Sequence, residues 1–394
     1  MSQELINRNL DLKRLRDEGY EVEIRATYLL VHNVPYVNAS REIKRGTLIS
    51  SLQLAGDHTV APTDHVALFT GEHPCNKDGT EISQIKHSSP NQALTTDLVA
   101  KHSFSNKPVS GYSNYYDKMS RYAQIISAPA ESLEPGASAK THKVVESHDD
   151  ESAFNYLDTA SSRAGIRAIT EKLVRSKLGI VGLGGTGSYI LDLVAKTPVR
   201  EIHLFDGDTF YSHNAFRSPG AASLDDLRKA PRKVQYYSEI YGRMHRRIIG
   251  HDCFIGSSTI EHLRGLTFVF LCIDKTDAKR GIVEFLEQCG TPFMDVGMDV
   301  IALDDMQVLI GDLRVTTSTP EKRDHLRRRV SFADDEREGE YHRNIQIAEL
   351  NALNAALAVI KWKKLMGFYQ DLEKERHSTY SLNVNMLRSE DQVV

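Results

Sequence analysis

The feature that most restricts this chain is a run of glycines, Gly182-Leu183-Gly184-Gly185-Thr186-Gly187, set between a buried-strand pattern and a helical one. Glycine turns the backbone tightly and lets amides approach an anion at the start of the helix, and the spacing satisfies GxGxxG. LGIVGL (Leu178 to Leu183) supplies the strand, and Gly184 to Lys196 opens the helix with an apolar stripe. The same alternation continues downstream: EIHLFD, then a long polar helix over Leu224 to Met244, then LTFVFLCID, a helix through Leu286, and TPFMDVG. Continuous apolar runs separated by helices predict a parallel sheet covered on both faces, a doubly wound α/β unit. MQVLIGDLRVTT reads as a longer alternating strand, and Ile345 to Phe368 as a helix dense in Ala and Leu with Gly367 as its stop.

The first 150 residues read differently. Short β-branched runs (EVEIRATYLLVHNV, GTLISSLQLA, DHVALFTG, YAQIISAP) are broken by Gly and Pro, which predicts a smaller β-rich α+β domain behind an opening charged helix near Ser2 to Glu18. The polar stretch from Ser127 to Glu151 reads as a linker. The expected division is 1–150 for an accessory or recruitment domain, 151–370 for the nucleotide-binding domain, and 371–394 for a tail. At 394 residues and 40% hydrophobic content, each part can fill a core. A net charge of −4 gives no reason to expect nucleic-acid binding. No apolar run is long enough to span a membrane and the N-terminus is charged, so the cytoplasm is the expected location.

In a doubly wound sheet the strand ends and their loops converge on one crevice. Asp206 ends the second strand, where a carboxylate accepts hydrogen bonds from ribose hydroxyls. Asp208, Asn214 and Arg217 follow in DGDTFYSHNAFR, Lys233 in APRKVQ, and Asp274 ends the third strand in LCIDKTD. Glycine amides, two cations and several carboxylates suit a triphosphate with magnesium: Arg and Lys for phosphate oxygens, Asp for the hard cation. An NAD-dependent oxidoreductase accounts for GxGxxG and Asp206 but not for the rest of the set.

GLGGTGS, DGDTFYSHNAFR, APRKVQ and CIDKTD, in that order, resemble the ThiF/MoeB-type adenylation domain shared with ubiquitin-activating enzymes, over about Ser161 to Phe368. The resemblance implies ATP and Mg2+ as ligands. Gly182, Gly184, Gly185 and Gly187 form the nucleotide loop, with Gly184 against the nucleotide. Asp206 takes the ribose, with Asp208 a further nucleotide-site residue in the following loop; Asn214, Arg217 and Lys233 handle the phosphates, and Asp274 holds magnesium. It further implies a homodimer in which Arg163, from SSRAGI, enters the opposite subunit's phosphate site, with Arg167 as the fallback. TASSRAGI, DGDTFYSHNAFRSPGA and NIQIAELNALNAALAVIKWKKL are similar to bacterial ThiF-like proteins with an extra N-terminal domain. Their operons encode ubiquitin-like and conjugating-enzyme-like proteins. The implied activity is adenylation of the C-terminal carboxylate of a ubiquitin-like protein.

Many relatives then transfer the acyl group to a cysteine beyond the fourth strand, but the segment 297–344 has none. Cys272, Cys289 and Cys253 read as packing residues. Cys75, in GEHPC beside His73, is the remaining thiol near an imidazole. The acyl group is therefore expected to stop at the adenylate, to pass directly to a partner, or to form an oxyester on a hydroxyl in the loop holding Thr316, Thr317, Ser318 and Thr319. The zinc-binding cysteine pairs of simpler relatives are missing, so no structural zinc is expected. A catalytically silent scaffold that binds a ubiquitin-like protein is the alternative from another class.

Overall fold

A computed structural model describes residues 2–95, 97–143, 145, 153–156, 158, 160–161, 164, 166–273, 276–303, 305–330 and 345–390. The chain divides into two compact units, Met1–Glu171 and Lys172–Val394, so the division falls some way beyond the shift in composition. Among the described residues no helix is long and apolar enough to cross a membrane.

In the first unit, two short helices, Ser2–Arg8 and Leu10–Asp17, replace the single opening helix. The break is at Asn9, whose buried side chain donates to the carbonyls of Leu5 and Asp57 and accepts from the Thr59 amide. A six-stranded sheet follows, its first three strands, Glu21–Arg25, Tyr28–Val37 and Ile43–Ser51, forming an antiparallel meander. The run YAQIISAP is not a strand. It belongs to the helix Tyr115–Leu133, which Asn114 caps by accepting from the Asp117 amide. Tyr115, Met119, Tyr122, Ala123, Ile126 and Ala130 are its buried stripe, with the 3.6-residue period of an amphipathic helix. The linker expected from Ser127 therefore begins inside a helix. Against this stripe lie Leu29, Val31, Phe69 and Phe104.

The second unit is built on one eight-stranded sheet. From edge to edge its strands are Ile248–His251, Glu201–Phe205, Lys177–Val181, Phe268–Leu271, Phe293–Leu303, Val308–Ser318, His377–Ser381 and Met386–Glu390. The first five are mutually parallel and the last three add on antiparallel. The residues expected to form a C-terminal tail thus supply two strands. The direction of strand addition reverses between Lys177–Val181 and Phe268–Leu271, which opens a crevice at their carboxyl ends. The helices Gly185–Val194 and Ala348–Leu365 pack together, their apolar residues joining one core with the sheet; Trp362 is fully buried there against Phe270. The opposite sheet face packs on Ile282, Val283 and Leu286 of the helix Thr276–Gln288.

The long polar helix expected over Leu224 to Met244 is two helices, Leu224–Lys229 and Lys233–Gly242. Ala230 has φ of 43°, and Pro231 cannot donate the amide that a continuous helix needs at that point. The break has a consequence for the site: it makes Lys233 the first residue of a helix rather than an interior one.

Candidate active site

The glycine loop leaves the Lys177–Val181 strand at the switch point. Gly182 has φ of 92°, and a Cβ there would lie 2.5 Å from the Cys272 carbonyl oxygen. Gly187 lets the helix start close against the strand, since a Cβ would meet the Gly182 carbonyl at 1.9 Å. At Gly185 a Cβ would collide with the amide of Asn351. Gly184 differs: only Gln346 Oε1, at 3.9 Å, comes near. Three of the glycines are thus demanded by protein atoms, while the fourth faces open space at the helix N-terminus, where an anion is favoured.

Asp206 organises this loop. It is buried, and its carboxylate accepts the Leu183 amide at 2.7 Å and the Asp208 amide at 2.8 Å. Lys233, also buried, places its ammonium 3.4 Å from Asp206 and 2.7 Å from Asp208. Its own amide donates to the Asp208 carbonyl, which fixes the helix start beside the loop. Asp208 is half exposed (55% of its side chain), so the pair presents one buried cation and one accessible carboxylate at the same edge of the crevice. Asn214 is buried, and its oxygen accepts the Tyr211 amide at 2.9 Å. It thereby holds the short helix Ser212–Ala215, and the amide of Arg217 donates to its carbonyl. Arg217 Nε is buried and has no hydrogen-bond partner among the described residues.

The structure therefore brings together Gly182, Gly184, Gly185, Gly187, Asp206, Asp208, Asn214, Arg217 and Lys233. Arg163 and Asp274 lie outside the described residues. Two supporting residues were not singled out from the sequence. Asn351 accepts Thr186 Oγ1 at 2.8 Å and donates to the Arg217 carbonyl at 3.4 Å, tying the glycine loop to the arginine loop. Gln346 Oε1 accepts the Gly185 amide at 3.3 Å. The signal for the first was present: Asn351 and Asn354 stand on the buried face of an otherwise Ala- and Leu-rich helix.

The hydroxyls expected in a loop are elsewhere. Thr316, Thr317 and Ser318 are the last residues of the Val308–Ser318 strand, all three are fully buried, and Thr319 follows them at 6% exposure. Ser318 lies opposite Phe293, the first residue of its strand. It therefore sits at the amino end of the parallel set, about 10 Å below the glycine loop along the strands and about 14 Å to the side. Threonine is a good strand former and serves here as one. Cys75 is buried in the first unit, its thiol donates to the His73 carbonyl at 3.3 Å rather than to an imidazole, and burial pushes its pKa up, which disfavours the thiolate.

Comparison with known proteins places this geometry. Residues 10–159 match a domain of unknown function (DUF6791), and residues 159–388 match the ThiF family. A curated relative, tRNA threonylcarbamoyladenosine dehydratase 2 of Saccharomyces cerevisiae, is 24% identical over 159 residues, which are 38% of this chain. The match spans about a third of that relative (34%). Among solved structures, Escherichia coli MccB with MccA-N7isoASN gives a TM-score of 0.48 at 16% identity, over 60% of this chain and 72% of MccB. PaaA gives 0.44 at 18% identity, over 57% and 75%. The family match takes in the glycine loop, the Asp206 cluster and the Asn351 helix together, and covers more than half of the sequence: the chain belongs to the ThiF family.

Proposed function

We propose that the second unit uses magnesium–ATP to adenylate the C-terminal carboxylate of a ubiquitin-like protein. The observation that carries this reading is an open Gly184 with the Asp206–Lys233–Asp208 cluster, on a loop that Asn351 ties to the loop of Arg217, whose buried Nε has no partner among the described residues. A carboxylate is a poor acyl donor because its leaving group is oxide. Attack of one carboxylate oxygen on the α-phosphorus of ATP, with departure of pyrophosphate, turns it into a mixed anhydride whose leaving group is AMP. The protein has little covalent chemistry to do. It has to hold two anions together and neutralise the charge that gathers between them. Amides of the glycine loop, Arg217 and Lys233 supply that neutralisation on the nucleotide side. Asp206 aims Lys233 while it fixes the loop through Leu183. Magnesium accompanies the triphosphate, with Asp274 as its proposed ligand.

On this reading the protein is a homodimer, and Arg163 of each subunit completes the phosphate site of the other. The acyl group passes onward without a cysteine in the segment after the fourth strand, to a conjugating-enzyme-like partner that the first unit recruits. The buried positions of Thr317 and Ser318 favour this direct hand-over above an oxyester on the enzyme.

ATP–pyrophosphate exchange tests the reading, with a candidate ubiquitin-like protein and with the same protein lacking its C-terminal glycine. Exchange is expected only with the intact tail. Arg217→Ala and Lys233→Ala are each expected to lower it about 100- to 1000-fold, as for loss of one preorganised charge at a reacting centre. Binding of ATP without exchange would support the scaffold, and binding of a nicotinamide cofactor in place of ATP would return the glycine loop to oxidoreductase chemistry.

A further inference from the structure

A second charged cluster lies on the other flank of the glycine loop. Asp295 is fully buried in the strand next to Phe268–Leu271, paired in register with Leu271, whose other neighbour is Val181 at the foot of the glycine loop. Its two carboxylate oxygens meet two cations: Lys279 Nζ at 2.8 Å, from the helix Thr276–Gln288, and Arg314 Nη2 at 2.9 Å, from the neighbouring antiparallel strand. Lys279 is buried, while 29% of the Arg314 side chain is exposed. Two cations against one carboxylate leave a surplus positive charge, and its accessible end is the guanidinium. Arg314 stands opposite Gly297, and a Cβ at Gly297 would be only 2.7 Å from Arg314 Nη2. The missing side chain lets the guanidinium lie across that strand, which puts it about two strand spacings, roughly 10 Å, from the glycine-loop strand. Nη1 donates to the Arg329 carbonyl at 2.9 Å, and Nε is buried with no partner among the described residues. A guanidinium carries five N–H donors, so one on each terminal nitrogen is left without a partner among the described residues.

We infer that Arg314 is a positioning residue for the second substrate: it receives the terminal carboxylate of the incoming polypeptide tail. This inference rests on the adenylation reading and adds to it the place of the acyl donor. The Asp206–Lys233 flank takes the nucleotide, and the Arg314 flank takes the tail, so the two anions enter the crevice from opposite sides. A planar guanidinium matches a carboxylate with two parallel hydrogen bonds, which fixes direction as well as charge. Asp295 and Lys279 serve to hold Arg314 in place. In the reaction one oxygen of that carboxylate forms a bond to the α-phosphorus of ATP, the bond from phosphorus to the bridging oxygen breaks, and pyrophosphate leaves with the electron pair. Arg314 transfers no proton.

The test uses the full chain, saturated with magnesium and a non-hydrolysable ATP analogue, and titrates it with a short peptide ending in Gly-Gly. The free acid is compared with the same peptide as its C-terminal amide. The wild-type protein is expected to bind the acid about tenfold more tightly than the amide, a difference of about 1.4 kcal/mol. Arg314→Gln is expected to abolish that preference while affinity for the ATP analogue and the circular dichroism spectrum stay unchanged. Arg314→Lys is expected to keep part of it, since charge remains and the planar fork is lost. Equal binding of acid and amide by the wild type overturns the inference, as does a variant that keeps the full preference. Joint loss of analogue binding and of folded structure in both variants also overturns it, because it makes Arg314 a structural residue. Exchange of pyrophosphate is read separately: no exchange with an intact acid preference removes the adenylation reading and leaves the carboxylate site standing.

Discussion

The parallel and antiparallel halves of the second unit's sheet differ in what they do with polar side chains. In the parallel half every strand points the same way, so its strand-to-helix loops gather at one end, and buried charges collect there in partnered groups: Asp206 with Lys233, Asp295 with Lys279. In the antiparallel half the connections alternate between ends. The Thr316 hydroxyl there shares a 3.0 Å hydrogen bond with His377, but those of Thr317 and Ser318 have no partner among the described residues and sit toward the end away from the crevice. Polar burial in the first half forms ion pairs, while at Thr317 and Ser318 in the second it is a cost that packing carries. Arg314 joins the two, being anchored in the antiparallel strand and held over the parallel one.

The sharpest way to break this contrast is at Gly187. A Cβ there would overlap the Gly182 carbonyl, which is backbone and cannot swing aside. Gly187→Ala is expected to destabilise the second unit by about 3 kcal/mol, at the upper end for overpacking. The single tryptophan, Trp362, is fully buried in this unit, so its fluorescence during urea unfolding reports on the unit directly. The equivalent change at Gly184, where the space is open, is expected to leave the urea midpoint nearly unaltered and to weaken binding of ATP. If the two substitutions cost the same, the distinction between structural and ligand-facing glycines fails.

A smaller effect tests the edge of the parallel half. His251 stacks on Phe205 with ring centroids 4.5 Å apart and shares a 3.0 Å hydrogen bond with His203. Burial holds its pKa down to about 4, aided by the neighbouring His203 and His262. The folded state therefore resists a proton that the unfolded chain takes up near pH 6.5. Its contribution is complete above pH 6.5 and is lost as pH falls toward 4. Because the ring is partly exposed, screening reduces this to about 1 kcal/mol. His251→Gln is expected to flatten the loss of stability between pH 7 and pH 4.5 by that amount, followed again through Trp362. An unchanged slope would remove His251 as a source of acid sensitivity.

Much of the parallel half was legible because strands buried on both faces must be continuously apolar, and because glycines in GxGxxG have few other uses. The order of Asp206, Arg217 and Lys233 along the chain was enough to bring them to one edge. What was not legible has physical causes. The run Tyr122 to Pro129 looks like a strand through its paired isoleucines, and only the period that begins at Tyr115 shows the helix. The polar helix ends at Ala230 through a positive φ that alanine rarely takes and composition does not announce. Thr316 to Thr319 look like loop filler, yet β-branched hydroxyl residues also suit a strand, and tertiary packing decided between them. The Asp295 cluster draws one residue from each of three elements, and its members are linked only by strand register.

The smallest expected effect tests the cost of the antiparallel half. The Thr317 hydroxyl is buried and unpartnered among the described residues, and valine fills nearly the same volume without a polar atom to desolvate. Thr317→Val should therefore raise the stability of the second unit by about 1 kcal/mol, the usual penalty for an unpaired buried group. It should leave ATP–pyrophosphate exchange unchanged. The two readouts must be taken together. A stabilised protein with full exchange keeps Thr317 as a strand residue, far from the crevice. A variant that also fails to hand its acyl group to a partner would mean that this strand end opens during turnover. In that case the hydroxyls would regain their claim as acyl acceptors, and the two halves of the sheet would share the chemistry.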